Sequence, residues 1–187
     1  MSSQIIVLDY SPQWAVQFEM LKNIYTTALH NLNIDIQHVG STSVPGLAAK
    51  PIIDIDIIIE NDSILKTVIS SLEGLGYQHR GDLGIPQREA FKHESGVYNN
   101  ELLPAHNLYV CIKGCDSLNN HLTFRDYLKE HPNKIAEYSA LKKKLAATYP
   151  NDIDAYVENK TPFITGVLQQ AGFDSNVLNA IIDQNKA

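Results

Sequence analysis

Residues 38–59 read HVGSTSVPGLAAKPIIDIDIII, and no other part of this 187-residue sequence says as much about its architecture. A loop of small and hydroxylated residues, Gly40 to Pro45, is followed by an apolar run from Ile52 to Ile59 that two aspartates interrupt. The β-branched content and the length of that run predict a central, buried strand. Ile34 to Val39 alternates as a strand before the loop, and the interval between loop and run has room for a short helix over Gly46 to Lys50.

Asp54 and Asp56 are the most informative residues of the run. They occupy alternate positions, so a strand places both carboxylates on one face with Cα atoms roughly 7 Å apart. Two like charges on an apolar strand are costly unless a raised pKa, a basic partner or a divalent cation compensates them. A cation is the simplest compensation. Magnesium binds a few carboxylate oxygens together with water and substrate phosphates, so the pair predicts a metal site.

The loop just upstream has the composition of a phosphate-binding loop. Glycine allows a phosphate to approach the backbone, and amide N–H groups and hydroxyls donate hydrogen bonds to phosphate oxygens. The candidate phosphate ligands are Gly40, Ser41, Thr42 and Ser43, with Lys50 as a nearby positive charge. A plainer interpretation stays open, in which the loop is only a turn and one aspartate caps or pairs locally.

Outside this region the pattern predicts helices at both ends of the chain and strands between them. Helices are predicted at Gln13–Leu32, Ile64–Leu75, Leu118–Glu130, Lys134–Tyr149, Ile153–Ala171 and Val177–Gln184, and further strands at Tyr77–Arg80, Glu89–His93 and Asn107–Ile112. We therefore predict one α+β domain over residues 1–187. It has an N-terminal helix, a mixed β-sheet core at about 33–114 and a C-terminal helical tail at about 117–187.

Composition excludes several classes of function. A net charge of −6 disfavours broad binding of nucleic acid or of an anionic membrane. Cys111 and Cys115 have no second cysteine pair with which to complete a zinc site, so we expect reduced thiols. Met1 to Asp9 lacks the pattern of a signal peptide, and no apolar run is long enough for a membrane span. We expect a cytoplasmic protein without a membrane partner.

The order of these features resembles the signature of the nucleotidyltransferase superfamily related to DNA polymerase β. That signature is an apolar residue with Gly-Ser, roughly a dozen residues, and Asp-apolar-Asp-apolar, which Val39-Gly40-Ser41 and Asp54-Ile55-Asp56-Ile57 match. Nearly the whole chain is similar to the GrpB family, which shares this nucleotidyltransferase-like core. The similarity is carried by residues 38–56, Gly84-Ile85-Pro86, Phe124-Arg125-Asp126-Tyr127-Leu128, and Tyr156 with Lys160.

The resemblance implies a nucleotidyltransferase-like fold in which Asp54 and Asp56 are the catalytic, metal-binding residues and a nucleoside triphosphate is the substrate. Superfamily members that transfer nucleotides usually add a third carboxylate from a later strand. Here residues 106–110 contain no Asp or Glu, and Tyr109 stands where GrpB relatives typically have a second histidine. His106 or Asn107 remains as a further ligand. Neither adds a negative charge, so we expect weaker magnesium binding or a preference for manganese or zinc.

Other basic residues have two interpretations each. Arg88, Lys92 and Arg125 are candidates for the acidic part of a substrate, with Arg88 assigned to phosphate, while a surface salt bridge is the alternative role. The three successive lysines at 142–144 point in different directions on a helix, so we expect them on a solvated face. His38 either contacts phosphate or metal, or packs as a structural residue.

Two functions follow. The first is a metal-dependent nucleotidyltransferase that uses Mg²⁺ or Mn²⁺ to transfer a nucleotidyl group from a nucleoside triphosphate to an acceptor the sequence does not identify. The alternative is a catalytically weak or inactive module that binds a nucleotide or a phosphorylated metabolite, which the absent third carboxylate favours. A protein-interaction scaffold that presents the helical tail is a third, more generic interpretation.

Overall fold

The structure is a computed structural model that describes residues 4–184. Its helices are α1 (Gln13–Ala28), α2 (Leu65–Gly74), α3 (Asp116–Glu130), α4 (Pro132–Thr148), α5 (Ile153–Gln170) and α6 (Ser175–Gln184). Its strands are β1 (Ile34–Val39), β2 (Ile53–Ile59), β3 (Tyr77–His79), β4 (Arg88–His93), β5 (Val97–Tyr98), β6 (Glu101–Leu102) and β7 (His106–Ile112). Short 3-10 turns at Ser41–Ser43 and Asp62–Ile64 lie ahead of β2 and α2.

Five strands form one mixed sheet in the order β1-β2-β7-β4-β3. The central strands β2 and β7 run parallel, whereas the other three pairings are antiparallel. β5 and β6 form a separate hairpin. A mixed sheet that follows one helix and precedes a helical tail confirms the predicted α+β class.

Strand β2 is the centre of the core and has two different faces. Its isoleucines at 53, 55, 57 and 59 are fully buried against apolar residues of α1 and α2. Because side chains alternate along a strand, Asp54 and Asp56 lie on the opposite face. On that face α3 packs against the far end of the sheet, where Leu118 contacts Cys111.

The helical tail packs on the segment that joins β1 to β2. Tyr138 of α4 stacks on Phe163 of α5 at 4.5 Å between ring centroids, and Phe124 of α3 meets Tyr138 edge-on at 5.5 Å. Val44 and Leu47 are buried in the same apolar cluster. The tail is therefore held against the loop that leads into β2, and a cleft separates it from the sheet.

The segment before α1 contacts both walls of this cleft. Leu8 and Ala49 exchange two main-chain hydrogen bonds of 2.9 Å, and the N–H of Ile5 donates to the carbonyl oxygen of Pro150 at 2.7 Å. Ala49 lies between β1 and β2, and Pro150 lies between α4 and α5. This segment, Ile5–Leu8, thus joins the sheet side to the tail side.

The predicted helices and long strands are confirmed, with differences at their ends, but two details were wrong or missed. Gly46–Lys50 is not a helix, because Ala49 is drawn into the isolated bridge with Leu8. The β5–β6 hairpin was not predicted. Its turn residues Asn99 and Asn100 have φ of 49° and 66°, the left-handed values that asparagine tolerates in two-residue hairpin turns. Among residues 4–184, no helix is both long and apolar enough to cross a membrane.

Candidate functional site

A cleft of about 380 Å³ lies between β2, β7 and the helical tail. Most of the residues that line it are charged or polar. The charged and polar lining residues are Ser41, Thr42, Lys50, Asp54, Asn107, Tyr109, His121, Lys142, Tyr156 and Lys160. The cleft therefore combines a carboxylate from the sheet with three lysines, two of which come from the tail.

Asp54 is held in place from both neighbouring strands. It pairs with Val39 of β1 and with Asn107 of β7, whose side-chain amide donates to Asp54 Oδ1 at 2.7 Å. Burial raises the pKa of Asp54, and the charge of Asp56 adds to that rise. The Asn107 hydrogen bond and the positive charges of His121 and Lys160 act in the opposite direction. The carboxylate is a costly charge that an added cation relieves.

Gly40 is required because Asp54 occupies the space where another residue would place its side chain. A Cβ atom at position 40 would overlap Asp54 Oδ2, and the backbone φ of 68° lies in the left-handed region. Only glycine meets both conditions without strain. The sequence predicted that Gly40 lets a phosphate approach the backbone. In the structure, Gly40 lets the loop backbone pack against the carboxylate of Asp54.

We expect Gly40→Ala to destabilise the protein by roughly 2–4 kcal/mol, since the strained backbone and the overpacked contact both cost free energy. Gly84→Ala is the matched control, because Gly84 has a similar φ of 78° with open space around it. Chemical denaturation of both variants measures the difference. Equal losses of stability would show that the Asp54 contact contributes nothing.

Asp56 is fully buried and is bound by a residue that the sequence did not reveal. His121 of α3 donates from Nδ1 to Asp56 Oδ2 at 2.8 Å, while Asp56 Oδ1 has no hydrogen-bond partner. Burial acts to lower the pKa of His121, but the charge of Asp56 and the hydrogen bond to it prevail and raise that pKa. No local pattern marks His121, because α3 reaches β2 only through the tertiary fold.

Lys142 is the second residue whose place in the cleft was not predicted. The prediction of a solvated lysine triplet is wrong at this position, since Lys142 is 3% exposed and its Nζ donates to Ser41 Oγ at 2.8 Å. Burial and the charge of Lys160 lower its pKa to about 6, against the attraction of Asp54. Lys142 lies four residues after Tyr138 and three before Leu145, which are both buried residues of α4. This helical spacing could have placed Lys142 on the buried face of the helix. Lys143, by contrast, pairs with Asp9 at the surface.

Lys160 and Lys50 complete the positive side of the cleft. Burial and the nearby Lys50 lower the pKa of Lys160 to about 8, while Asp54 opposes the change. Both ammonium groups lie over the ring of Tyr156, at 5.6 Å for Lys160 and 5.8 Å for Lys50. Two lysines with lowered pKa values, Lys142 and Lys160, and a third beside them make a site suited to a multiply charged anion.

Of the three hydroxyls in the predicted phosphate loop, only that of Ser41 is presented to the cleft without a role in folding the loop. Thr42 donates to the carbonyl oxygen of Ile52 at 3.3 Å, and Ser43 donates to that of Gly40 at 2.6 Å. These two side chains shape the loop. Ser41 is therefore the best placed of them to contact a ligand.

Of the two interpretations of His38, its contacts support the structural one. Its ring stacks on Phe18 at 4.6 Å, and Nε2 donates to Thr42 Oγ1 at 3.0 Å. Burial, with the charges of Lys129 and Arg125, lowers its pKa to about 4. A neutral, packed histidine supports the loop from behind.

The structure does not bring His106 or Arg88 into the cleft. His106 is paired with Ile53 and so lies on the core face of the sheet. There Nδ1 donates to the carbonyl oxygen of Pro104 at 2.7 Å and Nε2 accepts from the Tyr77 hydroxyl at 2.6 Å. The residue that faces the cleft beside Asp54 is Asn107, one position later.

Arg88 lies instead over the ring of Tyr109, with 4.5 Å between the guanidinium carbon and the ring centroid. Its Nε is buried without a hydrogen-bond partner. Arg125 donates to the carbonyl oxygen of His38 and the side chain of Gln37, and pairs with Asp126. Arg125 thus fixes the tail to β1, and Lys92 is exposed on β4.

The carboxylates fit one hard divalent cation. Asp56 Oδ1 is a buried acceptor without a partner, and Asp54 Oδ2 is not used by Asn107. Such oxygens, together with water and phosphate, are typical Mg²⁺ or Mn²⁺ ligands. Within residues 4–184, no third His, Cys, Asp or Glu joins them in a group that could hold a metal.

Comparison with known sequences extends over most of the chain. The model of a family described as GrpB protein matches residues 4–170. The glutamate-rich protein GrpB of Alkalihalophilus pseudofirmus is 34% identical over 168 residues, which cover 89% of this chain and 95% of the relative. UPF0157 protein YqkA of Bacillus subtilis is 33% identical over 161 residues, and the match spans only 45% of its length.

Comparison with solved structures agrees. The crystal structure of conserved protein GrpB from Enterococcus faecalis has a TM-score of 0.76 and 31% identity, with 94% of this chain and 98% of that chain covered. The Cid1 poly(U) polymerase with MgGTP bound has a TM-score of 0.53 at 14% identity, covering 75% of this chain and 44% of that chain. The second likeness shows that the sheet and its surroundings have a nucleotidyltransferase-like fold.

Proposed function

The chain belongs to the GrpB family, and from this premise we propose that it is a metal-dependent nucleotidyltransferase acting on a nucleoside triphosphate. One observation carries the proposal: Asp54 faces three lysines and a serine across one cleft, and Asp56 is buried beside it on the same face of β2. Carboxylates bind the cation, and lysines bind the phosphates that accompany it. Asp54 and Asp56 would hold a Mg²⁺ or Mn²⁺ ion, which would supply charge neutralisation at the transferred phosphate.

The chain's own residues bind and orient the phosphates. Lys142 and Ser41 are already hydrogen bonded to each other, so a phosphate oxygen that enters there meets two prearranged donors. Lys160 and Lys50 lie on the Tyr156 ring and extend the positive surface along the cleft. The pKa values of Lys142 and Lys160 are lowered in the free protein, so an entering anion raises them and protons are taken up on binding.

A second function has a specific observation in its favour. Tyr109 lies beside Asp56 in the parallel register of β2 and β7, at the place where a third carboxylate would join the pair. In addition, Oδ2 of Asp56 already accepts a hydrogen bond from His121. A site with two carboxylates, one of them paired, fits a module that binds a nucleotide or a phosphorylated metabolite without turning it over. Pyrophosphate release distinguishes the two functions, because binding without release is expected only of the module.

Thermal unfolding with ATP, GTP, CTP and UTP, each with Mg²⁺ or Mn²⁺, tests the shared premise. A site at about one hundred times its Kd stabilises the native state by roughly 2.7 kcal/mol, which is visible as an increase in Tm. We expect an increase that needs both nucleotide and metal. No increase with any pair would contradict the nucleotidyltransferase and the nucleotide-binding form of the module, and would favour a phosphorylated metabolite, a different ligand or a protein partner.

A further inference from the structure

The two carboxylates offer few free oxygens. Asp56 Oδ2 accepts the N–H of His121 at 2.8 Å, and Asp54 Oδ1 accepts the Asn107 amide at 2.7 Å. Asp54 Oδ2 and Asp56 Oδ1 remain. A Mg²⁺ ion is commonly held by one or two carboxylates and completes its shell with water and phosphate, so two oxygens suit one ion. A second ion in the manner of two-metal sites needs further protein ligands.

Resting on the proposed function, we propose that this site takes a single divalent cation, held by Asp54 and by Oδ1 of Asp56. His121 is the positioning residue that fixes Asp56 for it. The hydrogen bond from His121 Nδ1 occupies Asp56 Oδ2. It fixes the rotation of the carboxylate and leaves this oxygen unavailable to a second ion. Since Asp56 is fully buried, its carboxylate has no water with which to replace this hydrogen bond.

The neighbours of Asp56 oppose a second cation by their chemistry. The adjacent residue on β7 is Tyr109, which supplies a phenol and not a carboxylate. Behind its ring lies the permanent positive charge of Arg88, at 4.5 Å from the ring centroid. A second divalent ion on this side would meet the Arg88 charge without gaining a carboxylate.

Counting bound Mn²⁺ tests the stoichiometry. The signal of free Mn²⁺ in electron paramagnetic resonance is titrated against the full chain with a non-hydrolysable ATP analogue, or with the nucleotide that gives the largest increase in Tm. We expect one Mn²⁺ per chain. Two would overturn the inference and leave the proposed function standing, whereas none, with no nucleotide-dependent increase in Tm, would overturn both.

Substitution of His121 tests its positioning role. The loss of a group that hydrogen bonds a metal ligand typically weakens metal binding about 10–100-fold, and we expect this for His121→Leu. His121→Asn retains an N–H at nearly the position of Nδ1, so it should restore most of the affinity. His79→Leu is the matched control, because His79 also pairs with a carboxylate, that of Glu89 at 2.6 Å, but outside the cleft.

Two outcomes would contradict the role of His121. Mn²⁺ binding by His121→Leu that equals that of the native chain would mean that His121 does not position Asp56, and tighter binding would mean that His121 competes with the ion. Equal weakening in the leucine and asparagine variants would mean that the hydrogen bond is not what matters. If the leucine variant does not fold, the asparagine variant and the native stoichiometry still decide between one ion and two.

Discussion

Replacing Asp54 with asparagine should abolish metal-dependent nucleotide binding while the folded protein stays as stable as before or becomes more stable. Burial raises the pKa of Asp54, so its charged form is disfavoured in the native state. A carboxyl group with a raised native pKa lowers stability as the pH increases through that pKa, and the cost is complete above it. A neutral amide of the same shape removes the cost, and it removes the metal ligand as well.

Thermal unfolding with and without nucleotide and Mn²⁺ measures both effects. The ligand-dependent stabilisation, roughly 2.7 kcal/mol at a hundredfold excess over Kd, should disappear in Asp54→Asn. Asp35→Asn is the control, because Asp35 is an exposed residue of β1 whose carboxylate accepts a hydrogen bond from the side chain of Gln37. A variant of Asp54 that keeps the full response would remove this carboxylate from the site.

Lys142→Met should have the second large effect, on ligand affinity and on the pH dependence of stability. Loss of a charge-assisted hydrogen bond costs about 1.5–3 kcal/mol, which weakens nucleotide binding roughly 10–100-fold. Methionine fills similar space beside Tyr138 without a charge. Without ligand, the variant should therefore be at least as stable as the native chain near pH 6.

The pH dependence follows from the pKa of Lys142, which is about 6 in the folded chain against an ordinary value of 10.5. Between these values the unfolded chain holds a proton that the native chain has released, so stability rises with pH. From pH 6.5 to 8 this single group contributes an increase of about 2 kcal/mol. Urea unfolding across that range should show the rise in the native chain and a flatter dependence in Lys142→Met.

Lys143→Met is the matched control for that experiment. Lys143 is the next residue on the same helix, but its surface pair with Asp9 contributes little. It should leave both the pH dependence and nucleotide affinity unchanged. Parallel pH dependence in Lys142→Met and the native chain would place the titrating group elsewhere.

The parts of the fold that follow from local patterns were predictable. Alternation along β2 gave the burial of its isoleucines and the common face of Asp54 and Asp56, since both depend only on a period of two. The small residues of the loop indicated a close backbone approach, and the group that Gly40 approaches in the structure is the Asp54 side chain.

The residues that complete the candidate site come from distant parts of the chain. His121 is 65 residues from Asp56, and Lys142 is 101 residues from Ser41. Such pairs depend on how the tail docks, which no local period encodes. His106 shows the same limit at short range, because a one-residue choice of register decides whether it or Asn107 faces the cleft.

The segment Ile5–Leu8 has a consequence for how a ligand enters and leaves. It is bonded to Ala49 on one wall and to Pro150 on the other, so the walls cannot swing apart unless those bonds break. Opening needs the loss of either the one bond to Pro150 or the two bonds to Ala49, which at about 1 kcal/mol each is a cost of roughly 1–2 kcal/mol. A ligand that needs a wider cleft must therefore first break this main-chain tether formed by residues that precede α1.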